Sequence, residues 1–173
     1  MDQEKDVVAA LCPKCGLCCN GVLFADVELQ KTDAPRRLAE LGLAIKAKGR
    51  KRAFSQPCHC FQAGLCQIYA ERPTRCRAFE CGVLKRVVDQ RLTPDAALRL
   101  IKQAQQLSDK IRASLQGLGE RNDALPLSHR FQKVMAEPID LSADEALVDL
   151  RGTFMLQVDQ LMKFLERNFL SSK

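Results

Sequence analysis

All nine cysteines of this 173-residue chain lie between Cys12 and Cys81, and this concentration constrains the fold more than any other feature. They fall in two blocks. The first reads Cys12-Pro-Lys-Cys15-Gly-Leu-Cys18-Cys19, spaced C-x2-C-x2-C-C. In the second, Cys58, Cys66, Cys76 and Cys81 make a C-x7-C-x9-C-x4-C frame in which Cys60 is extra. Thiolates are soft ligands, and four that converge normally hold zinc or an iron–sulfur centre. The two-residue spacings of block one allow a tight loop to present several sulfurs to one metal. That block alone can supply three ligands of a cubane cluster, with the fourth arriving from elsewhere. Neighbouring side chains usually diverge, so Cys18 and Cys19 are expected to serve two centres, or different corners of one polynuclear centre.

Disulfides are a poor alternative. The N-terminal Met-Asp-Gln-Glu-Lys-Asp is charged and no long apolar run follows it, so the sequence predicts no secretory leader and no membrane span. A reducing cytoplasm is the expected compartment, where dense thiols mean metal. The odd cysteine count and the adjacent pair point the same way. With no Trp and one Tyr, residues 1–91 have a thin apolar core. A structural metal contributes roughly 10–16 kcal/mol in zinc-finger peptides, more than the net stability of many domains. More than one metal ion per chain is therefore expected to fold this half.

Block one resembles that of a known family when it is taken together with two further stretches. These are Cys58-His-Cys-Phe61 and Gly64-Leu-Cys66-Gln-Ile-Tyr69-Ala-Glu-Arg72-Pro73-Thr-Arg-Cys76-Arg77-Ala-Phe-Glu-Cys81. The family is that of the bacterial CxxCxxCC cysteine-cluster proteins, also called YkgJ-type or zinc- or iron-chelating domain proteins. The likeness runs from Leu11 to Cys81. It implies metal-ligand roles for Cys12, Cys15, Cys18, Cys19, Cys58, Cys66, Cys76 and Cys81, and leaves Cys60 outside the eight. Some members are labelled flagellin N-methylase, which implies lysine methylation as an alternative activity. Between the two metals, the count of eight and the adjacent Cys18-Cys19 favour iron–sulfur slightly over zinc.

The chain order suggests a mainly α protein with short β. An irregular, metal-nucleated cysteine-rich half (1–91) precedes two long antiparallel helices in a helical extension (92–173) that packs on it. Gly21–Leu29 reads as a strand. Asp33 is placed to cap a helix over residues 34–46, with Leu38, Leu41 and Ile45 on one stripe. Residues 46–52 carry five positive charges in seven positions and read as a solvated connector. Gly64 marks a turn, and Gln67–Glu71 one helical turn stopped before Pro73. Tyr69 is expected to pack over the metal loops, with Arg72, Arg75 and Arg77 offsetting thiolate charge. Thr93-Pro94 opens the first long helix, with Ala97, Leu100, Ala104, Leu107, Ile111 and Leu118 along one face. Ser142-Ala-Asp-Glu145 is a capping box before the second, in which Gly152 marks a close helix crossing. A short helix capped by Ser128 lies between them.

The net charge of +6 belongs to the first half, with 16 Lys and Arg against 10 Asp and Glu, whereas the second half holds 11 of each. No catalytic triad, P-loop or dinucleotide-binding turn is visible. His59 lies between two cysteines but is not expected to be a ligand, and His129 reads as a surface or capping residue. The leading function is therefore metal binding, structural or redox, exercised on a protein partner, by a monomer or by a homodimer formed through the helices. Alternatives are a metal-dependent protein-modifying enzyme and a nucleic-acid-binding zinc module. The latter would use the basic half but lacks aromatics for base stacking.

Overall fold

In the computed structural model, which describes residues 10–138 and 145–170, the cysteine blocks are wrapped by short elements and braced by long helices. In chain order these are α1 (residues 10–15), β1 (Asp26–Glu28), α2 (Pro35–Glu40), β2 (Ile45–Lys48) and β3 (Lys51–Ser55). A small hairpin follows, β4 (Phe61–Gln62) with β5 (Leu65–Cys66), and then a 3-10 turn at Tyr69–Glu71. The remaining helices are α3 (Thr74–Ala78), α4 (Gly82–Val88), α5 (Pro94–Gly117), α6 (Leu127–Ala136) and α7 (Glu145–Leu165), the last running into a π turn at Glu166–Leu170.

Helix α5 begins as its sequence dictates. The Thr93 hydroxyl accepts the Ala96 N–H at 3.3 Å, and Pro94 occupies the first turn, where a missing N–H costs nothing. Its buried face carries Ala97, Ile101, Ala104, Leu107, Ile111 and Leu115. Phe154, Val158, Leu161 and Leu165 of α7 and Phe169 beyond it pack there. The two helices run antiparallel, with Gly117 of α5 against Leu150 of α7 and the Ser114 Oγ 2.8 Å from the Gln157 Oε1. Leu11 and Leu17 of the first cysteine block and Val83, Leu84 and Val87 of α4 enter the same core. Each such side chain contributes about 1.5–3 kcal/mol on leaving water, so the thiol loops are anchored by apolar neighbours on both sides of them in sequence. A second, smaller core gathers Leu38, Leu43, Phe54, Cys60 and Ile68 beneath the sheet, whose strand order is β1-β3-β2.

The mainly α class with short β holds, but local expectations change. The helix expected over 34–46 stops at Glu40. Gly42, at φ +92°, turns the chain, and residues 45–48 become β2, in which Ile45 pairs with Phe54. Burying Ile45 on the sheet against Phe54 outweighs the helical propensity of its neighbours. Ala34 rather than Asp33 precedes α2, without a side-chain cap. The basic run is a hairpin, β2–β3, turning at Gly49 with φ +58°. Two of its five charges are paired across the sheet: Lys48 with Asp26 at 2.8 Å and Lys51 with Glu28 at 2.7 Å. The strand expected at 21–29 shrinks to β1. Pro126, not Ser128, precedes α6. Most of the Ser142–Glu145 capping box lies outside the described residues. Among those residues no helix is long and apolar enough to cross a membrane.

Gly152 does not mark a close crossing, since a Cβ there would meet nothing within 4 Å, whereas one at Gly117 would lie 3.0 Å from the Leu150 Cδ2. Gly152→Ala should therefore stabilise the protein by about 0.5–1 kcal/mol through helix propensity alone. Urea denaturation checks this, and a loss of stability would mean that the neighbouring helix comes closer to Gly152 than described.

Candidate metal centre

Block one is shaped by Gly16. The Gly16 N–H donates to the Cys12 carbonyl at 3.2 Å, and the Cys19 and Asn20 N–H groups both donate to the Gly16 carbonyl. Its φ of +65° ends α1 and starts a second tight turn, while the fully buried Leu17 pins that turn to the core. A Cβ at Gly16 would sit 2.6 Å from the Phe61 Cζ, so the ring from block two is seated directly on this bend. The turn sends the adjacent Cys18 and Cys19 into different surroundings.

Block two is laced to block one by backbone. The Cys58 N–H donates to the Cys19 carbonyl at 2.8 Å, and within block two the Gln67 N–H donates to the Cys60 carbonyl at 2.8 Å. The β4–β5 hairpin turns through Ala63 and Gly64, both at positive φ, and sets Cys66 opposite Phe61. Cys76 rides on α3, whose start is clamped by Asp33. One carboxylate oxygen accepts the Thr74 N–H and hydroxyl at 2.7 Å each, and the other accepts the Gln30 N–H at 2.7 Å. Burial pushes the Asp33 carboxyl up, but these bonds prevail and hold it below its usual pKa. Cys81 precedes α4, and its Sγ accepts the Leu84 N–H at 3.4 Å.

The thiols sort into two sets by the fields they exert on one another. Cys18 feels Cys15, Cys81, Cys19 and Cys12, while Cys15 feels Cys81, Cys12 and Cys19 and Cys12 feels Cys81. Cys19 feels chiefly Cys66 and Cys76, Cys76 feels Cys58 and Cys66, and Cys58 feels Cys60, Cys19 and Cys66. Cys12, Cys15, Cys18 and Cys81 thus form one neighbourhood, and Cys19, Cys58, Cys66 and Cys76 a second. Cys19 stands at the boundary, since Cys12 acts on it and it acts in turn on Cys15 and Cys18. Burial is the leading cause that raises Cys12 and Cys81, pushes Cys15, Cys19, Cys58 and Cys76 up to about 12, and holds Cys18 well above its usual value.

Cys60 stands differently. Its thiol is 4% exposed inside the small core and donates to the Leu41 carbonyl at 3.6 Å, so it serves there as a compact apolar side chain. His59 and His129 are both exposed. Of the three arginines expected to offset thiolate charge, Arg72 lowers the pKa of Cys12, Cys19 and Cys76, whereas Arg75 acts on Glu28 and Arg77 on Asp33. Tyr69 is exposed and carries the Arg72 guanidinium 3.7 Å over its ring. Arg86, not singled out from sequence, lowers Cys81 while bonded to the Gly82 carbonyl and the Asn168 side chain. An i, i+5 spacing from Cys81 gave it no visible signal. A cleft of about 320 Å³ opens beside Asn20, Pro57 and Phe61, with Arg112, Gln116 and Arg130 on its helical wall.

Among the described residues no three Cys, His, Asp or Glu side chains are drawn close enough to grip one ion. The sets are neighbourhoods of thiols rather than closed single-ion shells. Their donor chemistry still fits a thiophilic metal. Every partner within a set is sulfur, the two cysteine blocks are tied by the Cys58–Cys19 backbone bond, and each sulfur swings about a single torsion between staggered positions.

A thiol-rich metal-binding protein is the class that this arrangement defines. Residues 11–106 match the model of the CxxCxxCC family, described as "Putative zinc- or iron-chelating domain". That match spans more than half of the chain, and the chain belongs to this family. It runs past Cys81, through α4 and into α5. No curated protein and no solved structure matches the chain.

The raised thiols fix a pH dependence for the metal-free chain. Its folded state holds these protons more tightly than the unfolded state, in which the thiols titrate near 9. That contribution to stability is complete below pH 9 and is lost as pH rises towards 12. The Tm of the metal-free protein should therefore fall steadily between pH 9 and 11, as followed by circular dichroism. A Tm that rose across that window would contradict the burial of the thiols.

Proposed function

We propose that this protein holds two metal centres, one on Cys12, Cys15, Cys18 and Cys81 and the other on Cys19, Cys58, Cys66 and Cys76. Their role is structural or redox, exercised on a protein partner. The observation that supports this reading is the sorting of the thiol fields into two sets of four, with the chain dividing at Cys18-Cys19. Four thiolates close a coordination shell and leave no open position for a substrate, which suits structural and electron-transfer roles better than hydrolysis.

Iron–sulfur is the preferred occupant of both. One zinc with 2.3 Å bonds draws four tetrahedral sulfurs to roughly 3.8 Å of one another. In a four-iron cluster each cysteine takes its own iron, so the sulfurs stand farther apart. The count of eight cysteines and the adjacent Cys18-Cys19 favour that arrangement.

Anaerobic purification followed by analysis for iron, zinc and acid-labile sulfide tests the reading. More than one metal ion per chain is expected, accompanied by sulfide. Cys18→Ser and Cys19→Ser should each remove about half of the metal, and the double variant more than either. Cys60→Ser should keep the parent ratio, because that thiol is already satisfied by the Leu41 carbonyl. A single zinc per chain, insensitive to one of the adjacent pair, would refute the two-centre reading. Equal losses in Cys60→Ser and Cys76→Ser would show that the second set is wrongly drawn.

A further inference from the structure

The cleft beside the junction of the two cysteine blocks is a built cavity whose lining contains no thiol. Its volume of about 320 Å³ lies at the lower end of the range for small-molecule sites, roughly 300–1,000 Å³. Its walls are pinned to one another. The Leu127 N–H donates to the Gly21 carbonyl at 2.9 Å, and a Cβ at Gly21 would lie 3.2 Å from the Pro126 Cα and 3.3 Å from the Pro57 ring. The loop before α6 is closed on itself. There the Asn122 N–H donates to the Glu120 Oε1 at 2.7 Å, and the Arg130 Nη2 donates to the Glu120 carbonyl at 3.2 Å. Pro57, Phe61, Leu125 and Leu127 make part of the lining apolar. The polar part includes Arg112 and Gln116 of α5, Arg130 of α6 and Asp123.

Two arginines against one aspartate leave this lining with a single excess positive charge. Arg130 is 2% exposed, and a guanidinium so deep is costly unless its donors are met. Asp123 accepts from Nη1 and the Glu120 carbonyl from Nη2, but the Nε–H has no partner among the described residues. Asp123 is itself 72% exposed, so water competes for the carboxylate that offsets this charge. Arg112 is half-buried, and its Nη1 donates to the exposed Asp109 at 2.9 Å. We propose that the cleft binds a monocarboxylate borne on a compact apolar group. The carboxylate accepts from Arg112 and Arg130, and the apolar group lies against Phe61 and Leu125. Planar guanidinium groups match the two oxygens of a carboxylate. One excess positive charge suits one negative charge, whereas a dianion would confront Asp123. The site needs neither metal centre, so it stands apart from the two-centre reading.

Hydrocinnamate, titrated by calorimetry into the full-length purified protein, tests the site. Saturable binding is expected. Its neutral amide should bind about 10–100-fold more weakly, because it offers the arginines no charge. Acetate, which lacks the apolar group, should also bind more weakly. Arg112→Gln should weaken hydrocinnamate by about 10–100-fold, whereas Arg99→Gln, on the same helix but outside the cleft, should leave it unchanged. No saturable binding to the parent protein, an amide that binds as well as the acid, or an equal loss in Arg99→Gln would overturn the proposal. Inorganic phosphate that binds more tightly than hydrocinnamate would overturn the single-charge assignment. An acetylated dipeptide ending in phenylalanine separates two sources of such a carboxylate. Tighter binding than hydrocinnamate assigns the site to the chain end of a protein partner and weaker binding to a free acid, and either result supports the carboxylate site. If Arg112→Gln fails to fold by circular dichroism, the acid and its amide compared on the parent protein carry the same criterion.

Discussion

Burial of thiols sets the terms for the rest of this structure. A protonated thiol behaves as a small apolar group and enters a core at little cost, but a thiolate in the same place is heavily penalised. Here Cys15, Cys18, Cys19, Cys58 and Cys76 are shielded and crowd one another, so each of these resists ionisation on two counts. A bound metal reverses that balance, because it takes the thiolate and releases the proton. The same burial that keeps the thiols neutral also excludes competing water ligands, and it makes the fixed charges of Arg72 and Arg86 count for more than they would at a surface.

The scaffold can be understood as the means of holding that neighbourhood together. Block one is bent by Gly16 and pinned by Leu17, and the Phe61 ring closes over the bend. Block two is sewn to it through the Cys58 N–H and stiffened by the β4–β5 turn. Cys76 and Cys81 arrive on the starts of two short helices, one clamped by Asp33 and the other packed through Val83, Leu84 and Val87 into the core of α5 and α7. The long helices thus brace Cys81, while the three-stranded sheet and its small core support Cys58, Cys66 and Cys76.

Much of this was legible in the sequence. The spacing of the cysteines marked the thiol neighbourhood, and the adjacency of Cys18 and Cys19 implied their divergence. The 3.6-residue periodicity and the Thr93-Pro94 start announced α5, because a long amphipathic helix repeats its signal many times. Short elements repeat theirs too seldom. The stripe of Leu38, Leu41 and Ile45 matched a helix, yet the left-handed turn at Gly42 and pairing with β3 claimed Ile45 for a strand. Asp33 had the composition of a cap but serves α3, 41 residues away, a long-range contact that local pattern cannot express. Arg86 was hidden for the same reason, since its relation to Cys81 depends on α4 and on Asn168. Arg72 is set apart from Arg75 and Arg77 by its seat on the Tyr69 ring and carbonyl, which the spacing of the three arginines does not show.

The central claim is that sulfur alone surrounds the metal of this protein, four cysteines to a centre. X-ray absorption at the metal edge of the anaerobically purified full-length protein measures this directly. The account predicts an all-sulfur first shell, with metal–metal scattering if the centres are iron–sulfur clusters and a distance near 2.3 Å if the ion is zinc. A first shell containing nitrogen or oxygen ligands, or fewer than four sulfurs per metal, would contradict it.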